Sequence, residues 1–167
     1  MSVGEADLRD ELAALLPRLR RFARSVARHR EDADDLVQTA VERALRHLDQ
    51  WQAGTRLDSW MFRIMKNAWI DEVRARARRD EINAPEEADA TVGVSETSSH
   101  IARLSIAAAM GRLPDEQRLV IGLVLVDGMA YREAADALEI PIGTLTSRLA
   151  RGRLALQAAL GGPGGFE

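Results

Sequence analysis

Apolar residues at Leu8, Leu12, Leu15, Leu19, Phe22 and Val26 recur every three or four positions, the period of one helix face. A second run at Ala33, Leu36, Val37, Ala40, Val41, Ala44, Leu45 and Leu48 keeps the same spacing. It opens on Glu31, Asp32, Asp34 and Asp35, and carboxylates there favour the positive end of the helix dipole. Gln52-Ala53-Gly54-Thr55 breaks the period, and Ser59, preceded by Asp58, is the predicted N-cap of a third helix. That helix carries an apolar stripe (Trp60, Met61, Ile64, Met65, Ala68, Trp69, Val73) and a polar, largely cationic one (Arg63, Asn67, Asp71, Arg74, Arg78).

Residues 80–100 show no apolar period and contain Pro85, Gly93 and many small polar residues, the pattern of a flexible linker. Helical spacing resumes at Ile101, Leu104, Ala107, Ala108 and Leu113. Pro114-Asp115 then opens a helix through Leu119, Val120, Leu123 and Val124. Asp127-Gly128 should end it, since Gly takes positive φ at little cost. A short helix is predicted from Tyr131 to Leu138, then a tight turn at Glu139-Ile140-Pro141, then a helix through Leu145, Leu149, Leu154 and Leu156. Short helix, turn and second helix, with Ala134 and Ala135 allowing close approach, is the pattern of a helix-turn-helix. The tail after residue 160 is glycine-rich and expected to fray.

Composition narrows the class. An apolar content of 46% over 167 residues suits a folded chain, as one medium domain or two small helical ones. Cysteine is absent, which excludes disulfides and thiolate metal sites and fits a cytoplasmic protein. No leader pattern and no uncharged apolar stretch of membrane-spanning length is visible, so a soluble protein without membrane insertion is expected. No Ser-His-Asp order, phosphate-cradling glycine loop or paired carboxylates point to an enzyme. The acid cluster has no further ligands near it, so neither a metal nor a cofactor is expected.

The net charge of −3 hides an uneven distribution. Residues 56–79 hold seven Lys or Arg against three acids, and residues 142–160 hold Arg148, Arg151 and Arg153 with no acid. Between these cationic islands, residues 80–100 carry six acids and no Lys or Arg. Thr144, Thr146, Ser147, Arg148 and Arg151 fall in the first turns of the last helix, where hydroxyls and guanidinium groups suit base edges and phosphates.

Three stretches carry a family resemblance. They are Asp32-Ala33-Asp34-Asp35-Leu36-Val37-Gln38-Thr39, Trp60-Met61-Phe62-Arg63-Ile64-Met65-Lys66-Asn67-Ala68-Trp69-Ile70-Asp71, and Leu113-Pro114-Asp115-Glu116-Gln117-Arg118 running on to Ile140-Pro141-Ile142-Gly143-Thr144-Leu145-Thr146-Ser147-Arg148-Leu149. In this order the chain resembles an extracytoplasmic-function (ECF) sigma factor of the sigma-70 family. The resemblance implies an all-α fold of two small domains, a sigma-2 bundle over residues 5–79 and a sigma-4 helix-turn-helix over 101–160, joined by the acidic linker 80–100.

It also implies partners and sites. Asp34, Asp35, Leu36 and Gln38 would dock on the β′ clamp helices of bacterial RNA polymerase core, with the β flap as a further contact. Asn67, Asp71 and Arg74 would face the −10 element of promoter DNA, with Arg76, Arg78 and Arg79 on phosphates. Thr146, Ser147, Arg148 and Arg151 would enter the −35 major groove, with Arg153 on the backbone. An anti-sigma protein would control the factor within a stress regulon. Thr146 stands where the family often has Lys or Arg. Glu139 stands where glycine is frequent, which predicts either mild strain in the turn or another turn geometry. Trp60 and Trp69 fit the apolar stripe as core residues, with strand-opening wedges the alternative, and the loop from Gln52 to Asp58 is the better candidate to hold a flipped base. A sigma-like decoy that binds an anti-sigma protein without DNA, or an ordinary helix-turn-helix regulator, are the competing readings.

Overall fold

The computed structural model describes residues 3–82 and 98–161, and every regular element among them is helical. Three helices form the first half: α1 (Val3–Val26), α2 (Arg30–Arg46) and α3 (Leu57–Ile82), with a 3-10 turn at Leu48–Gln50. Four form the second: α4 (Ser98–Arg112), α5 (Asp115–Ile121), α6 (Tyr131–Leu138) and α7 (Ile142–Ala159). No helix among the described residues is long and apolar enough to cross a membrane.

Helix boundaries follow local chemistry. Helix α3 starts two residues before Ser59, with Asp58 inside its first turn accepting the Ser59 N–H at 2.8 Å. A carboxylate there satisfies one of the helix's unbonded N–H groups. Helix α3 runs to Ile82 and α4 starts at Ser98, so both ends of the expected linker are helical; residues 83–97 lie outside the described residues. Glu72 helps carry α3 beyond its core contacts by pairing with Arg76 four residues on, and with Arg79. Helix α5 widens into a π-helical turn over Gly122–Val126, where the Asp127 N–H reaches back five residues to the Gly122 carbonyl at 3.0 Å. Gly128 then reverses the chain at φ 79°, as its sequence predicts.

The two halves share one apolar core. Phe22 of α1 meets Phe62 of α3 edge to face, ring centroids 5.4 Å apart, and both are fully buried. The widened turn after α5 lies directly on α1. A Cβ at Gly122 would sit 2.7 Å from Ser25 Oγ and 3.0 Å from the Phe22 ring, so only glycine lets these two elements approach so closely.

Arg118 of α5 ties the halves together from inside. Its side chain is 3% exposed and donates to the carbonyls of Val26 at 2.7 Å and Leu113 at 2.8 Å, the C-terminal ends of α1 and α4. Helix C-termini carry unpaired carbonyls and partial negative charge, which a guanidinium complements. Burial pushes its pKa down; the Asp115 carboxylate, 3.6 Å away, opposes that shift and Arg28 adds to it.

Candidate nucleic-acid interface

Helices α6 and α7 form the predicted helix-turn-helix, with Ala134 and Ala135 of α6 buried. Glu139 closes α6 in the left-handed region at φ 56° and ψ 43°, the one non-glycine residue with positive φ among those described. The strain expected at this position is thus real, about 1–2 kcal/mol for a residue bearing a Cβ. The turn offsets part of it: the Ile140 N–H donates to the Ala135 carbonyl at 3.0 Å, satisfying the end of α6. Pro141 is the N-cap of α7.

Leu145, Leu149, Gly152 and Leu156 face the core, which turns the other side of α7 to solvent. Thr146, Ser147, Arg151 and Arg153 are exposed, and Thr144 and Arg148 are half-buried. Thr146 Oγ1 donates to the Gly143 carbonyl at 3.0 Å, leaving the hydroxyl oxygen to accept. Arg148 leans on Glu116 of α5 at 3.4 Å, a pair whose acid is 70% exposed and is therefore weak in water.

On α3, Asn67, Asp71, Arg74, Arg78 and Arg79 are exposed. Asp71 pairs with Arg43 of α2 at 3.0 Å. Arg76 is tied to α2 by a 2.6 Å contact with Asp32 and held by Glu72 at 3.1 Å. The hydrogen bond to Asp32 raises its pKa despite partial burial. Trp69 is 4% exposed and belongs to the core, while Trp60 is half-buried and lines a hollow of about 140 Å³ with Arg43, His47, Gln50, Ile64 and Asn67.

On α2, Asp34, Asp35 and Gln38 share one exposed face, where Gln38 donates to Glu42 at 3.3 Å. Leu36 of the expected docking set is 5% exposed and part of the core. One residue advances a helix by about 100°, which takes Leu36 off the face of Asp35. A hollow of about 290 Å³ lies between α2 and α3, with Asp35, Thr39, Trp69 and Arg76 among its walls.

The arrangement that sequence reasoning missed is an ionic seam between the halves. Arg18 of α1 grips Asp127 through two bonds (3.1 and 2.9 Å) and Asp58 at 3.2 Å, with its guanidinium 5.5 Å from the Phe62 ring centroid. Arg56 bonds Asp58 and reaches Glu133 of α6. Arg63 donates to the Asp136 carbonyl at 3.1 Å and pairs with Glu139 at 3.3 Å. Lys66, only 8% exposed along its side chain, meets the same carboxylate at 3.7 Å. Spacing along the chain carries no signal for partners separated by 109 residues, as Arg18 and Asp127 are.

Asp58 is the buried centre of this seam. Burial alone would raise its pKa, but hydrogen bonds from Arg56, the Ser59 N–H and Arg18, with the charge of Arg56, hold it below the ordinary value. Its proton therefore binds more weakly in the folded chain than in the unfolded one. The resulting stability is complete above the unfolded value of about 4 and disappears as pH falls through the lower folded value. Thermal melts of Asp58→Asn and wild type should differ most above about pH 5 and converge below about pH 4. A gap that stays constant with pH would contradict this account.

Comparison with known proteins follows the same division. The family model described as "Sigma-70 region 2" matches residues 12–79, and that described as "Sigma-70, region 4" matches residues 103–156. The chain is 35% identical over 153 residues to the ECF RNA polymerase sigma factor EcfG of Rhodopseudomonas palustris, covering 92% of this chain and 84% of that one. Among solved structures it is similar to the sigma factor RpoE in complex with the anti-sigma factor NepR from Bartonella quintana, with TM-score 0.76, 30% identity and coverage of 92% and 96%. It is also similar to CnrH in complex with the cytosolic domain of CnrY, with TM-score 0.69, 29% identity and coverage of 93% and 88%.

Proposed function

The chain belongs to the ECF sigma factors of the sigma-70 family, non-enzymatic transcription initiation factors, and from that premise we propose how its surfaces divide the work. The exposed face of α2, with Asp34, Asp35 and Gln38, docks on the β′ clamp helices of RNA polymerase core, with Leu36 supporting that face from the core. Helix α3 addresses the −10 element through Asn67, Asp71 and Arg74, with Arg78 and Arg79 on phosphates and Arg76 bracing α3 against α2. Helix α7 enters the −35 major groove with Thr146, Ser147, Arg148 and Arg151; Thr144 and Arg153 flank the contact. The observation that carries this reading is α7 itself: its solvent face offers hydroxyls and guanidinium groups, and the whole helix contains no acid.

Binding energy has to come from more than the isolated chain. A net charge of −3 limits the gain from counterion release on DNA. Polymerase supplies the remainder by holding both cationic surfaces near one duplex, which raises their effective concentration. Unpairing costs on the order of 1–2 kcal/mol per step, and capture of an unstacked base returns roughly 1–3 kcal/mol.

One of the similar structures holds the anti-sigma factor NepR, which supports control of this factor by an anti-sigma protein; that the genes it serves form a stress regulon is part of the same proposal. In vitro transcription with purified core polymerase tests the central reading. Asp35→Ala should weaken association with core by about 10- to 100-fold, the worth of one charge-assisted contact. If the wild-type chain does not associate with bacterial core polymerase at low salt, the reading fails.

A further inference from the structure

Glu139 combines two features that the proposed function leaves unexplained. It occupies a left-handed helix cap that glycine would fill without strain. Its carboxylate also reaches across the seam to Arg63 and Lys66. Lys66 makes its only ion pair among the described residues there, from a side chain that is 8% exposed. Arg63 stands four residues before Asn67, so both lie on one face of α3. Beside them Glu133 of α6 takes up Arg56. Carboxylates of α6 and its cap thus occupy three cations next to the α3 face assigned to DNA.

We propose that Glu139 is an intramolecular stand-in for promoter phosphate, closing region 4 over region 2 so that the free factor holds its α3 cations away from DNA. This rests on the reading of α3 as the −10 surface. A glycine at the cap would relieve strain and surrender the carboxylate; the chain keeps the carboxylate. Opening the seam leaves Lys66 and Arg63 without their counter-charge and available to phosphate, so DNA and the α6 carboxylates compete for the same groups. The Arg63 and Arg56 ends of the seam are solvent-accessible, so added salt loosens it.

The test uses the full chain. It contains no cysteine, so Ala13→Cys and Ala158→Cys, both at exposed positions, accept a dye pair reporting the distance between the halves. Glu139→Gly and Glu139→Gln should each lower energy transfer at low salt and raise affinity for a labelled single-stranded DNA about tenfold. The Gln variant retains the left-handed cap, so equal gains assign the effect to charge. Gly122→Leu, which forces the turn after α5 off Phe22 without touching a cation, should give the same gain. Adding Arg63→Ala to Glu139→Gly should abolish it.

Unchanged energy transfer in both Glu139 variants would overturn the latch. Opening without a gain on DNA would overturn the competition. Neither result bears on association of the wild-type chain with core polymerase, which separately decides the reading beneath it.

Discussion

Arg118→Ala should lower the melting temperature by about 5–15 °C, the largest stability loss of any single substitution considered for this protein. The guanidinium bonds the Val26 and Leu113 carbonyls within a site that water does not reach. Truncation leaves both acceptors buried and unpaired, at about 1–3 kcal/mol each, and a kilocalorie shifts the midpoint of a chain this size by about 2–4 °C. Because Val26 ends α1 while Leu113 follows α4, the loss should be global, with both halves melting earlier in a single transition. Circular dichroism melts would check this. A variant that melts with wild type would show that water or neighbouring groups satisfy those carbonyls.

Arg148→Ala combined with Arg151→Ala should produce the largest functional loss. Each guanidinium aimed at a base edge is worth about 1–3 kcal/mol of recognition, so the pair predicts about a thirtyfold to twenty-thousandfold drop in transcription from a −35-dependent promoter. Both side chains sit away from the core, and the partner of Arg148 is a largely exposed glutamate. The fold should therefore change by no more than about 0.5 kcal/mol per site. Run-off transcription with purified core polymerase, beside thermal melts of the same variants, separates the two effects. Transcription within a few fold of wild type would remove α7 from promoter recognition.

Local chemistry accounts for what was legible. The three- and four-residue apolar period locates α1, α2, α3 and α7, because a helix's buried stripe is written into consecutive residues. The short α6 matches its predicted span of Tyr131–Leu138, bounded by a glycine turn on one side and a turn ending in proline on the other. Gly128 takes the positive φ expected of it, and Glu139 carries the strain expected at its turn. Trp69 went to the core with Met61, Met65 and Ala68 of its stripe, while Trp60, expected there too, is half-buried. Leu36 follows the same rule: it belongs to the α2 apolar run and is buried with it, beneath the face of Asp35 and Gln38.

The helices, the helix-turn-helix, the two cationic islands and the family are all readable along the chain, since each depends on neighbours within a few residues or on a motif read in order. Packing alone buries Arg118 across two helix ends, shields Lys66 beneath Glu139, and brings Asp58 and Asp127 together around Arg18. Those outcomes turn on which charged side chains packing strips of water. Charges tolerate such burial only when distant segments bring a partner within hydrogen-bond reach. No periodicity along a chain encodes that meeting; the packing of the two halves creates it.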